Sequence, residues 1–112
     1  MGLKEYIFGF DAEIKACKYL EKNGYEILDR NFHSRFGEID IIAKKDEILH
    51  FIEAKATNGD YEAIYRINQK KIEKIIKTIN FYLIKKELSL NYQIDAILVQ
   101  KNKISLIENI TY

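Results

Sequence analysis

A chain of 112 residues, 47% apolar and 31% charged, is sized for a single domain with one hydrophobic core, not for a disordered or fibrous protein. Its 18 basic and 17 acidic residues leave a net charge of +1, which excludes a surface coated in positive charge but not a local basic stripe. No apolar run approaches the roughly 18 residues of a membrane span. The opening MGLKEYIFGFDAEIKACKYL is broken by charges, unlike a secretory signal, and the lone Cys17 gives no disulfide framework or thiolate zinc site, so a cytoplasmic location is expected.

From about Glu5 to Lys22 the chain reads as a helix, with Ala12, Ala16, Cys17, Tyr19 and Leu20 at helical spacing. Asn23-Gly24 stops it, the glycine suiting a left-handed cap. Tyr25 to Phe32 reads as a strand, followed by a polar turn around His33-Ser34-Arg35. Glu38–Lys44 and Ile48–Ala56 read as two more strands joined at Asp46-Glu47. After a loop at Thr57-Asn58-Gly59-Asp60, Ile72, Ile75, Ile76, Ile79 and Leu83 mark a long helix from about Glu62 or Arg66 to Glu87. Gln93–Val99 and Ile104–Ile107 are two last strands around a Lys101-Asn102-Lys103 turn. The order of helix, three strands, helix and two strands predicts an α/β layer arrangement, with a mixed central sheet of about five strands flanked by helices and residues 1–112 forming a single domain.

Carboxylates sit inside two of the apolar strands, Asp40 between Ile39 and Ile41 and Glu53 between Ile52 and Ala54. In a hairpin symmetric about Asp46/Glu47, Asp40 faces Glu53 and Glu38 faces Lys55, so that these four side chains share one patch of sheet. Facing residues hold their Cβ atoms about 4.5–5.5 Å apart. Two carboxylates at that separation, flanked by Ile and Phe, repel each other and are poorly solvated. A shared proton, neutralisation by Lys55, or a divalent cation on oxygen ligands would each compensate. Glu13 lies on or beside the apolar stripe of the first helix, since Ala16, Cys17 and Leu20 follow it at three, four and seven positions, and a helix packed on the sheet can aim it toward the hairpin acids.

Asp40 followed by Glu53-Ala54-Lys55 resembles the D-x(12)-E-x-K signature of the PD-(D/E)XK nuclease superfamily. The surroundings narrow the resemblance. The run from Gly9 through Ala12, Glu13, Ala16, Tyr19 and Leu20 looks like G-x-x-(G/A)-E-x-x-A-x-x-Y-L, Arg30-Asn31 with Gly37-Glu38-Ile39-Asp40 looks like R-N…G-E-I-D, and Phe51-Ile-Glu-Ala-Lys55 looks like F-V-E-V-K. Lys71 matches a family lysine, and Gln93-Ile94-Asp95 resembles R-F-D. Together these motifs, spread over nearly the whole chain, resemble the YraN family, small bacterial proteins similar to Holliday-junction resolvases. Ala54 and Thr57 depart from the usual Val and Arg, and the missing Arg removes a phosphate contact.

The resemblance implies a restriction-endonuclease-like three-layer fold and a metal-dependent endonuclease acting on structured or branched DNA. It implies that Asp40 and Glu53 hold Mg²⁺ or Mn²⁺ with the Ala54 carbonyl, that Lys55 orients or activates the attacking water, and that Glu13 is a further ligand, direct or through water. A symmetric homodimer suits cutting two strands. The alternative is a non-catalytic nucleic-acid-binding accessory protein with a vestigial site, or a structural ion cluster with Lys55.

For nucleic-acid contact, Arg66, Lys70, Lys74 and Lys77 recur at three- and four-residue steps opposite the Ile face of the second helix, and Lys71 at its edge is placed to reach inward. Arg35, Lys44 and Lys45 add to this at loop ends, and Tyr61 and Tyr65 are candidates for base stacking. A stripe of this kind is also what an ordinary solvated helix face looks like. His33, His50 and Cys17 are read as non-catalytic, Asp95 as a cap or shaping residue, and Glu38 as a partner of Lys55 or of a backbone amide.

Overall fold

The computed structural model describes residues 3–56 and 68–110, with residues 3–11 as backbone alone. Its elements are α1 (Leu3–Lys22), β1 (Glu26–Ser34), β2 (Gly37–Lys45), β3 (Ile48–Ala56), α2 (Gln69–Lys85), β4 (Asn91–Val99) and β5 (Ile104–Ile107). The strands form one sheet in the order β1-β2-β3-β4-β5. Neighbours are antiparallel except β3 and β4, which run parallel, with α2 in the connection between them.

The two helices among the described residues cover opposite faces, which gives the three layers expected of a restriction-endonuclease-like fold. Ala12, Ala16 and Leu20 repeat every fourth residue of α1 and pack with Cys17 on Ile41, Ala43, Ile52 and Ile97. Ile75, Ile79 and Tyr82 of α2 pack on Ile39, Ile42, Phe51 and Ile94 on the other face. Tyr82 is buried, and its hydroxyl donates to Asp29 Oδ2 at 2.7 Å, tying α2 to the edge strand β1.

Local chemistry sets most element ends. Gly24 takes φ 89° just past α1, a left-handed conformation that glycine adopts without a Cβ clash. Asp46 and Glu47 both have positive φ, 52° and 64°, as a two-residue type I′ hairpin turn requires, and they fix the register from Lys45↔Ile48 to Ile41↔Ile52. The second helix begins later than its apolar spacing predicts. Asn68 is extended, and its side chain accepts from the Lys71 amide at 2.9 Å, so Gln69 is the first helical residue. The expected starts at Glu62 or Arg66, like Tyr61 and Tyr65, lie outside the described residues.

Candidate metal and phosphate site

Asp40 comes from the middle of β2, and Glu53 and Lys55 from the C-terminal part of β3. The β2–β3 ladder keeps the expected register but ends at Ile41↔Ile52, one step short of the two acids. Beyond that point Asp40 Oδ2 accepts from the Ala54 amide at 2.9 Å, a side chain standing where a backbone carbonyl would otherwise serve. The acids therefore sit where the strands have parted.

A cavity of about 420 Å³ opens there, lined by Gly37, Glu38, Asp40, Glu53 and Lys55 from the hairpin and by Asn68, Lys70, Lys71, Lys74 and Ile75 from the start of α2. The structure thus brings together Asp40, Glu53, Lys55, Lys70, Lys71 and Lys74. Glu53 is buried, and its Oε1 has no hydrogen-bond partner among the described residues. Burial and the neighbouring Asp40 charge push the Glu53 carboxyl up to about 7, although Lys55 and Lys71 pull the other way. Burial also raises Asp40 above its ordinary value of 3.8, opposed by the Ala54 amide and Lys55 and reinforced by Glu13 and Glu38. Lys71 is lowered from 10.5, first by burial and then by Lys55 beside it.

Other predicted residues lie apart from this cavity. Glu13 Oε1 accepts from Asn31 Nδ2 at 2.9 Å and from Arg30 Nη2 and Nε at 3.3 and 3.4 Å; Glu13 is near enough to raise Asp40 but is not among the residues that line the cavity. Glu38 pairs with His33 Nδ1 at 3.3 Å, with both side chains largely exposed, where a link to Lys55 or to an amide is expected. Lys77 is exposed farther along α2, Arg35 stacks its guanidinium on Phe36 at 4.9 Å, Lys44 pairs with Glu47 at 3.7 Å, and Lys45 lies over the Tyr25 ring.

Asp95, read from the sequence as a cap, does cap the Asn109 amide, but sequence reasoning missed the buried network around it. Asp95, fully buried, meets His50 Nδ1 through Oδ2 at 2.7 Å, and its Oδ1 accepts from Gln93 Nε2 and the Asn109 amide, each at 2.8 Å. His50, Asp95 and Glu108 place one potential ligand atom each within 4.8 Å of one another. Both Asp95 oxygens are already partnered inside the fold, so the network reads as a tie that fastens the segment after β5 to the sheet. An acid between Ile94 and Ala96 was the signal in the sequence.

The paired carboxylates and the Glu53 oxygen that has no partner among the described residues suit a hard divalent cation; the lysines around them suit phosphate. Residues 12–99 match the profile described as "Uncharacterised protein family UPF0102". The chain belongs to the UPF0102 family. This is the YraN family that the motifs resemble. Its members include UPF0102 proteins of Campylobacter fetus, 62% identical over 112 residues and the full length of both chains, and of Campylobacter hominis, 64% identical over 111 residues and 99% of each. A UPF0102 protein of Campylobacter jejuni is 58% identical over 112 residues, again the full length of both. Among the described residues no helix of this UPF0102 member is long and apolar enough to cross a membrane.

Proposed function

We propose that this UPF0102 protein is a metal-dependent endonuclease of the cytoplasm that hydrolyses phosphodiester bonds in structured or branched DNA. The observation that carries the reading is Glu53 Oε1, a buried carboxylate oxygen without a partner among the described residues, in a cavity shared with Asp40, Lys55 and Lys71. A carboxylate is not left so without cost, and two of them side by side are harder still to keep ionised. Mg²⁺ or Mn²⁺ held by Asp40 and Glu53, with the Ala54 carbonyl, relieves both costs. When bound, such a cation lowers the pKa of a water and offsets charge developing on the phosphate.

The chain's own groups supply the rest. Lys55 places a compact positive charge beside the attacking water, and Lys71, Lys70 and Lys74 seat the phosphate from the first turns of α2. Lys77 and Arg35 extend the contact along the strand of nucleic acid. A homodimer would present two such cavities to two strands.

The test is a calorimetric titration of Mn²⁺ and Mg²⁺ into wild type and an Asp40→Ala/Glu53→Ala variant, with and without a short DNA, followed by a cleavage screen over branched DNA. Binding that the double variant loses, with Mn²⁺-dependent cleavage abolished in Asp40→Ala, is the expected result. No metal binding under either condition would overturn the proposal. Tight DNA binding without cleavage in any metal would point instead to a nucleic-acid-binding accessory whose acid site is vestigial.

A further inference from the structure

We infer that Asn31 and Glu13 form a clasp that positions Asp40, so that Glu13 serves the site by holding β1 bent and not by touching the cation. The inference rests on the reading of Asp40 as a cation ligand, and it begins from two irregularities in adjacent strands.

The first is in β1. Successive side chains of a regular strand point to opposite faces. Arg30 and Asn31 are successive, yet both reach the same Glu13 oxygen on the α1 side of the sheet. They do so because Asn31 has φ 51°, a left-handed residue inside a strand. Asparagine tolerates that conformation better than most residues, at a cost of roughly 1 kcal/mol. Such a conformation persists where its surroundings hold it, and here an amide-to-carboxylate hydrogen bond of 2.9 Å does so.

The second is in β2. Ile41 and Ala43 pack with α1, as alternate residues should, but Ile39 packs with α2. The strand turns over between Ile39 and Ile41, and the residue at the turnover is Asp40. The β1–β2 pairs Arg30↔Ile41 and Phe32↔Ile39 place Asn31 directly across from Asp40. The two irregularities therefore face each other and make one distortion. Its effect is to free Asp40 from the ladders on both sides and turn its carboxylate onto the Ala54 amide, beside Glu53. Glu13 Oε1, meanwhile, is already taken by three donor atoms.

The experiment compares Asn31→Ala, Asn31→Gly, Glu13→Ala, the Asn31→Ala/Glu13→Ala double variant and Asp40→Ala in two measurements. The amide proton shift of Ala54, read by NMR without metal, reports the bond to Asp40. It should move in Asn31→Ala and Glu13→Ala toward its value in Asp40→Ala. Mn²⁺ affinity by calorimetry should fall about tenfold in Asn31→Ala and in Glu13→Ala, as for other groups that orient a ligand, and no further in the Asn31→Ala/Glu13→Ala double variant, because one clasp can be broken only once. Asn31→Gly permits the left-handed backbone without strain and should retain more affinity than Asn31→Ala; it also stands in should Asn31→Ala fail to fold. An unmoved Ala54 amide in Asn31→Ala and Glu13→Ala would overturn the clasp. So would Glu13→Ala abolishing Mn²⁺ binding while Asn31→Ala binds as wild type, which is the signature of a direct ligand. A wild type that binds no metal while the Ala54 amide still moves would sink the nuclease reading and leave the clasp standing.

Discussion

Glu53 shows how one side chain can set the conditions under which the domain is most stable. Its carboxyl is held at about 7, whereas an ordinary glutamate titrates at 4.5. Between those values the folded chain keeps a proton that the unfolded chain has lost. The stabilisation is complete below the lower value and disappears as pH rises through the upper one. We expect the unfolding free energy of metal-free protein, read from urea titrations, to fall between about pH 5 and about pH 8, by an amount on the order of 3 kcal/mol for an isolated group. Glu53→Gln should remove most of that slope, and an unchanged slope in the variant would show that Glu53 is not the group responsible. The residue itself was legible in the sequence because an acid between Ile52 and Ala54 violates strand patterning. Asn31 was not. A single left-handed residue in a strand leaves no mark on hydrophobic periodicity, and its partner Glu13 is distant in sequence.

At the scale of elements, the β2–β3 hairpin is the part most fully determined by local sequence. Its apolar runs and the Asp46-Glu47 junction predict the register that is found, because a two-residue loop permits essentially one pairing. What patterning could not show was the turnover at Asp40, which stops the ladder at Ile41↔Ile52 and leaves Glu38 exposed with His33. The start of α2 was likewise hidden, since the apolar spacing is continuous with its surroundings and only the Asn68 cap decides the first turn. The turn itself carries a testable strain. Glu47 at φ 64° is a non-glycine residue in a conformation that suits glycine. Glu47→Gly should raise stability by about 1 kcal/mol in chemical denaturation, the exposed pair with Lys44 being worth little. A neutral or negative change would mean that the turn is not held as described.

For the whole molecule, near-neutral net charge and a basic cavity rim are compatible because a few lysines at the start of α2 make the rim basic while acids elsewhere balance the total. Lys70, Lys74 and Lys77 are all exposed on that helix, and the first two line the cavity. Replacing the three by alanine should weaken DNA binding at every sequence alike. The slope of log affinity against log salt should fall by roughly 2 to 3, near one for each phosphate that the lysines no longer neutralise. An unaltered slope would remove this face from the binding surface. The bend at Asn31 has a consequence for the molecule's behaviour in a crowded solution. Among the described residues β1 is an edge strand of the sheet, nine residues long, and a flat edge of that length is a template on which other chains can add and aggregate. A left-handed residue in its middle and a register shift between Ile27 and Asp29 break the row of backbone donors and acceptors. β5, the opposite edge, has only four residues. The kink that turns a carboxylate into the cavity therefore also guards the sheet against uncontrolled self-association, so straightening β1 would expose the protein to polymerisation as well as disturb its site.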